Sequence, residues 1–296
     1  MPAERTVEDA TVFPLQELIR VNPSAEAPPE PTLPGAGVAP LGRPRAYVAE
    51  LIGTFGLVLF IVLILTVSTP APFGIGGPNF AVVGLVHAFA LMLLIAALGS
   101  VCGAHFNPAV TIGMLSTRRI GLLDACAYIV MQLAGAVLAV LLVKVLMNGT
   151  GNIANFGAPK VTTGRFLDGS AVKGMVAEAA GTFFLMWAIM GTVVNPRGDR
   201  QWGAFVIGAT LGLAVMCIAP LTGAGLNPAR AFGPALFGGF GPAGDWLLAF
   251  VVGPLAGAVL AAQLYTAFVL APEPRTAAAE RGPRMSIFAV RRSSMG

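Results

Sequence analysis

The chain has few charged residues. Only 11% of its 296 residues carry a charge, whereas 56% are hydrophobic, and the mean hydropathy is +0.79. Ordinary soluble domains carry about 25% charged residues. This composition excludes a soluble globular protein and predicts one that crosses a membrane several times. The net charge of +4 comes largely from the ends and loops of the chain, so no nucleic-acid partner is indicated.

Histidine and cysteine are also scarce. With two histidines in the chain, a site that needs several histidine ligands is not available, and we expect neither a metal nor a cofactor. Cys102, Cys126 and Cys217 fall in or beside apolar stretches, where we expect small buried hydrophobic side chains rather than disulfides or metal ligands. The chain lacks a Gly-x-Ser-x-Gly pattern, and we predict no enzymatic activity.

What the sequence has in abundance is long apolar runs. Six of them are long enough to cross a bilayer: 46–68, 79–100, 122–147, 172–194, 202–220 and 246–270. They define a membrane domain over 45–270. Residues 1–44 are rich in proline and predict a disordered tail, and residues 271–296 form a basic tail.

The distribution of lysine and arginine predicts the orientation. With both tails in the cytoplasm, that side holds thirteen basic residues and the other side holds five. Cytoplasmic segments of membrane proteins carry an excess of lysine and arginine. We therefore expect both termini to be cytoplasmic.

Two further apolar runs are too short to span. Each covers about ten residues, 107–117 and 227–237, and each begins with Asn-Pro-Ala. A helix of that length is roughly 15 Å long, about half of a roughly 30 Å hydrocarbon core. Two half-helices that enter from opposite faces and meet at their tips would together make one crossing.

The two short runs belong to an internal repeat, with halves at about 45–148 and 172–270. The segment Ala49–Phe55 resembles Ala177–Phe183, and Leu133–Ala139 recurs unchanged as Leu255–Ala261. Each half contains three spans, an odd number, so the halves are predicted to be inverted relative to each other. Inverted repeats place their shared site near the midplane and build it from discontinuous helices.

The Asn-Pro-Ala motifs carry the chemistry. Asn is a strong helix N-cap and Pro suits the first helical position, so each motif predicts a helix start. Two helix N-termini, each with roughly +0.5 charge, would make the pore centre positive and rich in donors. Cations and protons are then disfavoured, and neutral hydrogen-bond acceptors are tolerated. A single Asn-Pro-Ala is a common helix start, but two copies at matching repeat positions favour a pore. The motif residues are Asn107, Pro108, Ala109, Asn227, Pro228 and Ala229.

The residues before each motif suit irregular backbone, which is tolerated at this depth where it lines water. We expect their carbonyls to form a ladder for the permeant, and the candidates are Gly103, Ala104, His105, Gly223 and Gly225.

Three charged residues lie deep in the apolar segments. Glu50 and Glu178 occupy equivalent repeat positions. They could form a proton or ion relay, but their symmetry favours a structural role in which each holds a re-entrant loop. Arg230 directly follows the second motif and could repel cations in the pore; the alternative is an arginine that reaches the interface.

These motifs resemble those of the aquaporin, or major intrinsic protein, family over residues 45–270. The resemblance rests on Gly103–Thr111, Gly223–Arg230, Phe232–Pro234 and the two Ala-Glu segments. It implies an all-α membrane protein with six transmembrane helices and two re-entrant half-helices. It also implies one pore per subunit and a homotetramer.

The resemblance also implies a selectivity filter at His87, Val215, Ala224 and Arg230. This set is similar to that of plant tonoplast aquaporins, some of which pass ammonia, urea or peroxide with water. His87 could instead be a core histidine packed between helices. Glycerol facilitators carry Asp after Asn-Pro-Ala-Arg, where this chain has Ala231, but Phe250-Val251 departs from the aromatic-Trp pair usual in water channels.

We therefore predict a passive channel in the plasma membrane for water and small neutral solutes, lying in the lipid bilayer and excluding ions and protons. A glycerol-type facilitator is the main alternative. An ion-coupled secondary transporter is less favoured, because both deep carboxylates are explained by structure.

Overall fold

The computed structural model describes residues 44–68, 78–163 and 166–270. The two predicted tails lie outside these residues, apart from Pro44. Regular structure in this part of the chain is helical. The α-helices are α1 (Pro44–Val67), α2 (Phe80–Cys102), α3 (Pro108–Ser116), α4 (Leu122–Ile153), α5 (Ala171–Ile189), α6 (Gly203–Thr222), α7 (Pro228–Gly238), α8 (Ala243–Leu247) and α9 (Gly253–Phe268).

Six helical segments of the described chain are long and apolar enough to cross a membrane, which confirms the predicted number. They are Pro44–Val67, Phe80–Cys102, Leu122–Met147, Ala171–Val194, Arg200–Thr222 and Ala243–Phe268. The third span belongs to α4. This helix continues to Ile153, beyond the predicted end at residue 147, after a non-helical Met147. The sixth span begins three residues earlier than predicted, with α8, and a π-helical segment, Leu248–Val252, joins α8 to α9.

The two short helices begin at the proline of each motif, as predicted, and they end within one residue of the predicted short runs. α3 has 9 residues and α7 has 11, and each has proline at its first position. The helix before each one stops at a left-handed glycine, Gly103 (φ 78°) after α2 and Gly223 (φ 80°) after α6. Glycine adopts this conformation without a Cβ penalty. The chain is then irregular until the asparagine that caps the half-helix.

Each half-helix packs mainly against the other half of the chain. The main neighbour of α3 is α9, the last helix of the second half, and the main neighbour of α7 is α4, the last long helix of the first half. The two halves therefore interlock around the half-helices, in the predicted architecture of six spans and two half-helices.

Glycines allow the long helices to approach closely, and two pairs at Gly-x-x-x-Gly spacing, Gly208 with Gly212 and Gly253 with Gly257, lie at these contacts. A Cβ on Gly208 would lie 2.5 Å from the carbonyl oxygen of Ala88, and one on Gly257 would lie 2.1 Å from that of Ala179. These contacts bring α6 against α2 and α9 against α5 at distances that no side chain would permit.

The prediction that all three cysteines are buried is wrong for two of them. Cys102 is buried, whereas Cys126 and Cys217 are exposed on the helix bundle. Lipid-facing and core-facing positions of a membrane helix are both apolar, so hydrophobicity alone does not separate them.

Candidate pore site

The two motif asparagines cap the half-helices with their side chains. The Asn107 Oδ1 accepts from the backbone N–H of Ala109 at 2.8 Å. The Asn227 Oδ1 accepts from the N–H groups of Ala229 and Arg230 at 3.0 and 3.3 Å. Each cap satisfies donors that the first turn of a helix leaves free, and it holds the amide in a fixed orientation.

The amide nitrogens of the same asparagines cross to the opposite half. The Asn107 Nδ2 donates to the carbonyl of Leu226 at 3.0 Å, and the Asn227 Nδ2 donates to the carbonyl of Phe106 at 2.8 Å. The sequence predicted a pore centre rich in donors but not this cross-link. One hydrogen of each amide ties the two tips together, and each amide has a second hydrogen.

A buried carboxylate holds each loop. Glu50 accepts from the backbone N–H groups of His105 and Phe106 at 2.8 and 2.7 Å. Glu178 accepts from the N–H of Gly225 at 2.8 Å and from that of Leu226. Both side chains are fully buried. These contacts favour the structural interpretation of the two glutamates over a relay, because the carboxylate oxygens are occupied by the loops.

Each carboxylate also accepts from a side chain that the sequence did not predict. The Gln132 Nε2 donates to Glu50 at 2.8 Å, and the Thr222 hydroxyl donates to Glu178 at 2.5 Å. Gln132 also donates to the Thr111 Oγ1 at 3.0 Å. For Gln132, a polar side chain inside a predicted span was the available signal; Thr111 lies in a predicted half-helix and Thr222 lies just beyond a predicted span.

The loops that the carboxylates hold contain left-handed residues that are not glycine. Their φ values are 51° at Ala104, 46° at Phe106, 48° at Ala224 and 50° at Leu226. The left-handed conformation costs roughly 1–2 kcal/mol for such a residue. The hydrogen bonds to the glutamates offset part of this cost. These irregular segments contain all five predicted ladder residues, Gly103, Ala104, His105, Gly223 and Gly225, and the lining of the pore by their carbonyls stays a prediction.

His105 is anchored by its ring as well as by its backbone. Its Nδ1 lies 3.1 Å from the Thr111 Oγ1, whose hydroxyl reaches the carbonyl of Asn107 at 3.1 Å. If that hydroxyl donates to the carbonyl, the His105 Nδ1 carries the proton and donates to Thr111. The Nε2 of His105 is then an acceptor.

The four predicted filter residues are all buried, with exposed fractions of 2% or less for His87, Val215, Ala224 and Arg230. They come from α2, α6, the second loop and α7. α2 packs on α6 beside His87 and Val215, since a Cβ on Gly84 would lie 2.5 Å from the Met216 Cγ. Their grouping around one passage stays a prediction.

His87 and Arg230 each have a polar atom left over. The His87 Nδ1 lies 2.8 Å from the carbonyl of Val83, and the Arg230 Nη1 donates to the carbonyl of Gly157 at 3.1 Å. The His87 Nε2 and the Arg230 Nε have no hydrogen-bond partner among the described residues. Buried polar atoms normally have partners, so these two are candidates for contact with a permeant.

No sequence motif marks the carbonyl of Gly157, which accepts the hydrogen bond from Arg230. Gly157 ends a turn in which three consecutive residues are left-handed, with φ values of 49° at Asn155, 50° at Phe156 and 68° at Gly157. Phe156 is fully buried and stacks edge-on against Phe237 of α7. This packing places the carbonyl of Gly157 beside the guanidinium. Every residue has a backbone carbonyl, so a sequence pattern could not have identified this partner.

No group of three or more His, Cys, Asp or Glu residues that could hold a metal occurs in the described part of the chain.

The chain is similar to known membrane channels along most of its length. It matches the family model described as "Major intrinsic protein" over residues 40–265. It is 37% identical to aquaporin AqpM of Methanothermobacter thermautotrophicus over 74% of this chain and 94% of the relative. It is 37% identical to aquaporin TIP4-4 of Zea mays (78% and 88%). It is also 34% identical to glycerol uptake facilitator protein-like 6 of Lactiplantibacillus plantarum (74% and 95%).

A solved structure shows the same fold. The aquaglyceroporin of Plasmodium falciparum superposes with a TM-score of 0.63 at 24% identity, covering 77% of this chain and 97% of that one. Six apolar helices and these matches identify an integral, multi-pass membrane protein. The chain belongs to the major intrinsic protein family of membrane channels.

Proposed function

We propose that this channel conducts water and other small neutral solutes, such as ammonia, urea or peroxide, and excludes ions and protons. The observation that carries the proposal is the pair of opposed helix starts, tied by crossed bonds from Asn107 and Asn227. Each tip presents a partial positive charge and a remaining amide hydrogen. A cation at that point meets two positive ends, whereas a neutral acceptor finds two donors.

The solute range depends on the filter. Val215 and Ala224 are small side chains, and they leave the width of the passage to His87 and Arg230. Such a filter supports the passage of solutes somewhat larger than water. The aquaporins among the relatives support water conduction in general.

A substitution at Val215 tests this proposal. We expect Val215→His to reduce urea and ammonia flux more than water flux, because the imidazole narrows the passage. Val252→His offers a control, since Val252 is 47% exposed on the outside of the bundle. Equal losses for all solutes in the Val215 variant would refute the proposed role in selectivity.

Purified protein in liposomes decides the function directly. Stopped-flow light scattering under gradients of water, glycerol, urea and ammonia should show fast water flux with a low activation energy. Voltage-driven ion current should be absent at the same protein density. A steady ionic current, or no gain in water flux over empty liposomes, would reject the proposal.

A glycerol facilitator is the second candidate. The similarity to the Lactiplantibacillus protein favours it. Ala231 is fully buried at the position directly after Arg230, where glycerol facilitators carry Asp. We therefore expect glycerol flux to be slow relative to water flux in the same liposome assay. Saturable flux that follows an ion gradient would instead indicate a secondary transporter.

We further propose a homotetramer in the plasma membrane with both termini in the cytoplasm. The excess of basic residues on the tail side supports this orientation. Cleavage of both tails by a protease added only to the cytoplasmic face would support it, and the mass of the detergent-solubilised protein would test the tetramer.

A further inference from the structure

A lateral groove opens on the outside of the helix bundle, and none of the four predicted filter residues lines it. Its volume is ≈ 510 Å³, and apolar side chains from both halves of the chain line it. This volume lies within the range of about 300–1,000 Å³ that is typical of small-molecule sites. The lining residues on which the argument depends are Pro108, Pro228, Ala243, Trp246, Val251 and Leu255.

The depth of the groove follows from two of these residues. Pro108 and Pro228 are the first residues of α3 and α7, the half-helices whose capping asparagines bond across to each other. The inner end of the groove therefore lies where the tips of the half-helices meet. Two half-helices of similar length place that point about halfway across the bilayer.

The length of the groove matches one leaflet. Ala243 begins the sixth span, at the membrane surface, and Leu255 lies twelve residues further along the same span. Twelve helical residues rise about 18 Å, and half of a hydrocarbon core of about 30 Å is about 15 Å. The groove thus runs from the membrane surface to the midplane.

We propose that the lateral groove binds one acyl chain of a bilayer phospholipid. The lining has no charged residue, so water gains nothing by entering, and apolar cavities stay dry. At this depth the surrounding medium is lipid hydrocarbon. A linear chain of one leaflet's length fits both the length and the chemistry of the groove, and this inference does not depend on which solute the pore conducts.

The bound chain is held by packing rather than by the hydrophobic effect, since lipid tails outside the groove are equally apolar. Aromatic rings form part of the wall: the ring centroids of Trp246 and Phe240 lie 4.9 Å apart. Exchange with bulk lipid is therefore expected, and the test must detect contact rather than tight retention.

Trp246 is itself the probe. The chain has three tryptophans, and Trp187→Phe with Trp202→Phe leaves Trp246 alone. This protein is reconstituted into phosphatidylcholine vesicles whose acyl chains carry bromine near the headgroup, at mid-chain or near the terminal methyl. We expect bromine near the headgroup to reduce Trp246 emission roughly twofold or more, as for atoms in van der Waals contact with the ring, because Trp246 lies only three residues from Ala243 at the surface end of the groove.

Two adjacent valines give a matched pair. Val251 lines the groove, whereas Val252 is 47% exposed and does not. In the single-tryptophan protein, Val251→Phe should fill the groove and remove most of the quenching, and Val252→Phe should leave it unchanged. Size-exclusion elution and circular dichroism verify that both variants are folded.

Two results would overturn the proposal. Emission that is insensitive to bromine at every depth means that a second copy or the protein's own side chains close the groove. Quenching that is equal in the two phenylalanine variants means that lipid reaches Trp246 by another route. Neither result bears on water flux, so the channel function is tested separately.

Discussion

The two halves of the channel share a backbone scaffold but differ in the side chains that they place on it. In each half a helix ends at a left-handed glycine, a buried glutamate accepts from two successive loop N–H groups, and an asparagine caps a half-helix. Equivalent positions then diverge. Val110 of the first half corresponds to Arg230 of the second, 120 residues later.

The third donor to each glutamate shows how the halves diverged. Gln132 supports Glu50, but its equivalent 122 residues later is Pro254, which has no donor. In the second half Thr222 supports Glu178 instead, and its own equivalent is Cys102. The Cys102 Sγ and the Thr222 Oγ1 both accept from the N–H two residues later, at 3.4 and 3.1 Å. The repeat therefore conserves the geometry of the loop rather than the identity of its partners.

Polar groups are also distributed unequally. The first half carries His105 and Thr111, where the second has Gly225 and Ala231. The second half carries the buried guanidinium of Arg230. A duplicated backbone thus positions both tips, and the side chains around them differ between the two halves.

The largest effect should come from removing the shared scaffold. Glu50→Ala and Glu178→Ala each leave two buried N–H groups without partners, at about 1–3 kcal/mol per group. We expect each variant to lose about 2–6 kcal/mol of stability, together with most of its water flux. Thermal unfolding in detergent and flux per folded protein measure this. If one of the two alanine variants is stable and conducts water while the other is not, the two carboxylates do not have equivalent roles.

Arg230→Val should have the next largest effect, because it makes the second half match Val110 of the first. Loss of the guanidinium removes both charge and bulk from the proposed filter. We expect urea flux to rise about tenfold, the change that corresponds to a barrier lower by about 1.4 kcal/mol. Proton leak, measured with a pH-sensitive dye in the vesicles, should rise as well.

The conservative variant Arg230→Lys serves as the control. Lysine keeps the charge but lacks the planar set of donors. Proton exclusion should largely persist in this variant while solute selectivity weakens. Unchanged urea flux in Arg230→Val would show that Arg230 is not part of the selectivity filter.

Gly157→Ala should have the smallest effect. It acts on the carbonyl that accepts from Arg230, a contact without an equivalent at Val110 of the first half. Gly157 has φ +68°, and a Cβ there would lie 2.6 Å from the Leu65 Cδ1. The shift should move the carbonyl that holds Arg230 and raise urea flux by severalfold, in the same direction as Arg230→Val. Gly149→Ala is the matched control, since a Cβ at Gly149 has no neighbouring atom within 4 Å. Equal fluxes in the two alanine variants would contradict the anchoring role.

Much of the scaffold was predictable because it depends on local sequence patterns. Apolar runs long enough to span, two short runs that start with Asn-Pro and a repeat of glutamate positions each depend on neighbouring residues or on a fixed period. Hydrophobicity could not distinguish the core from the lipid face, as Cys126 and Cys217 show. The crossed amide bonds were also missed, since they join residues 119 and 121 positions apart.

By itself, the sequence determined that this chain crosses a membrane six times and begins two opposed half-helices with capped, positive ends. Hydropathy and helix capping are properties of short segments, so they can be predicted without knowledge of the fold. Only the tertiary structure decided that Gln132 and Thr222 complete the carboxylate sites, and that the backbone of Gly157 holds Arg230. Those partners are chosen by the packing of distant helices, and a carbonyl oxygen is the same in every residue.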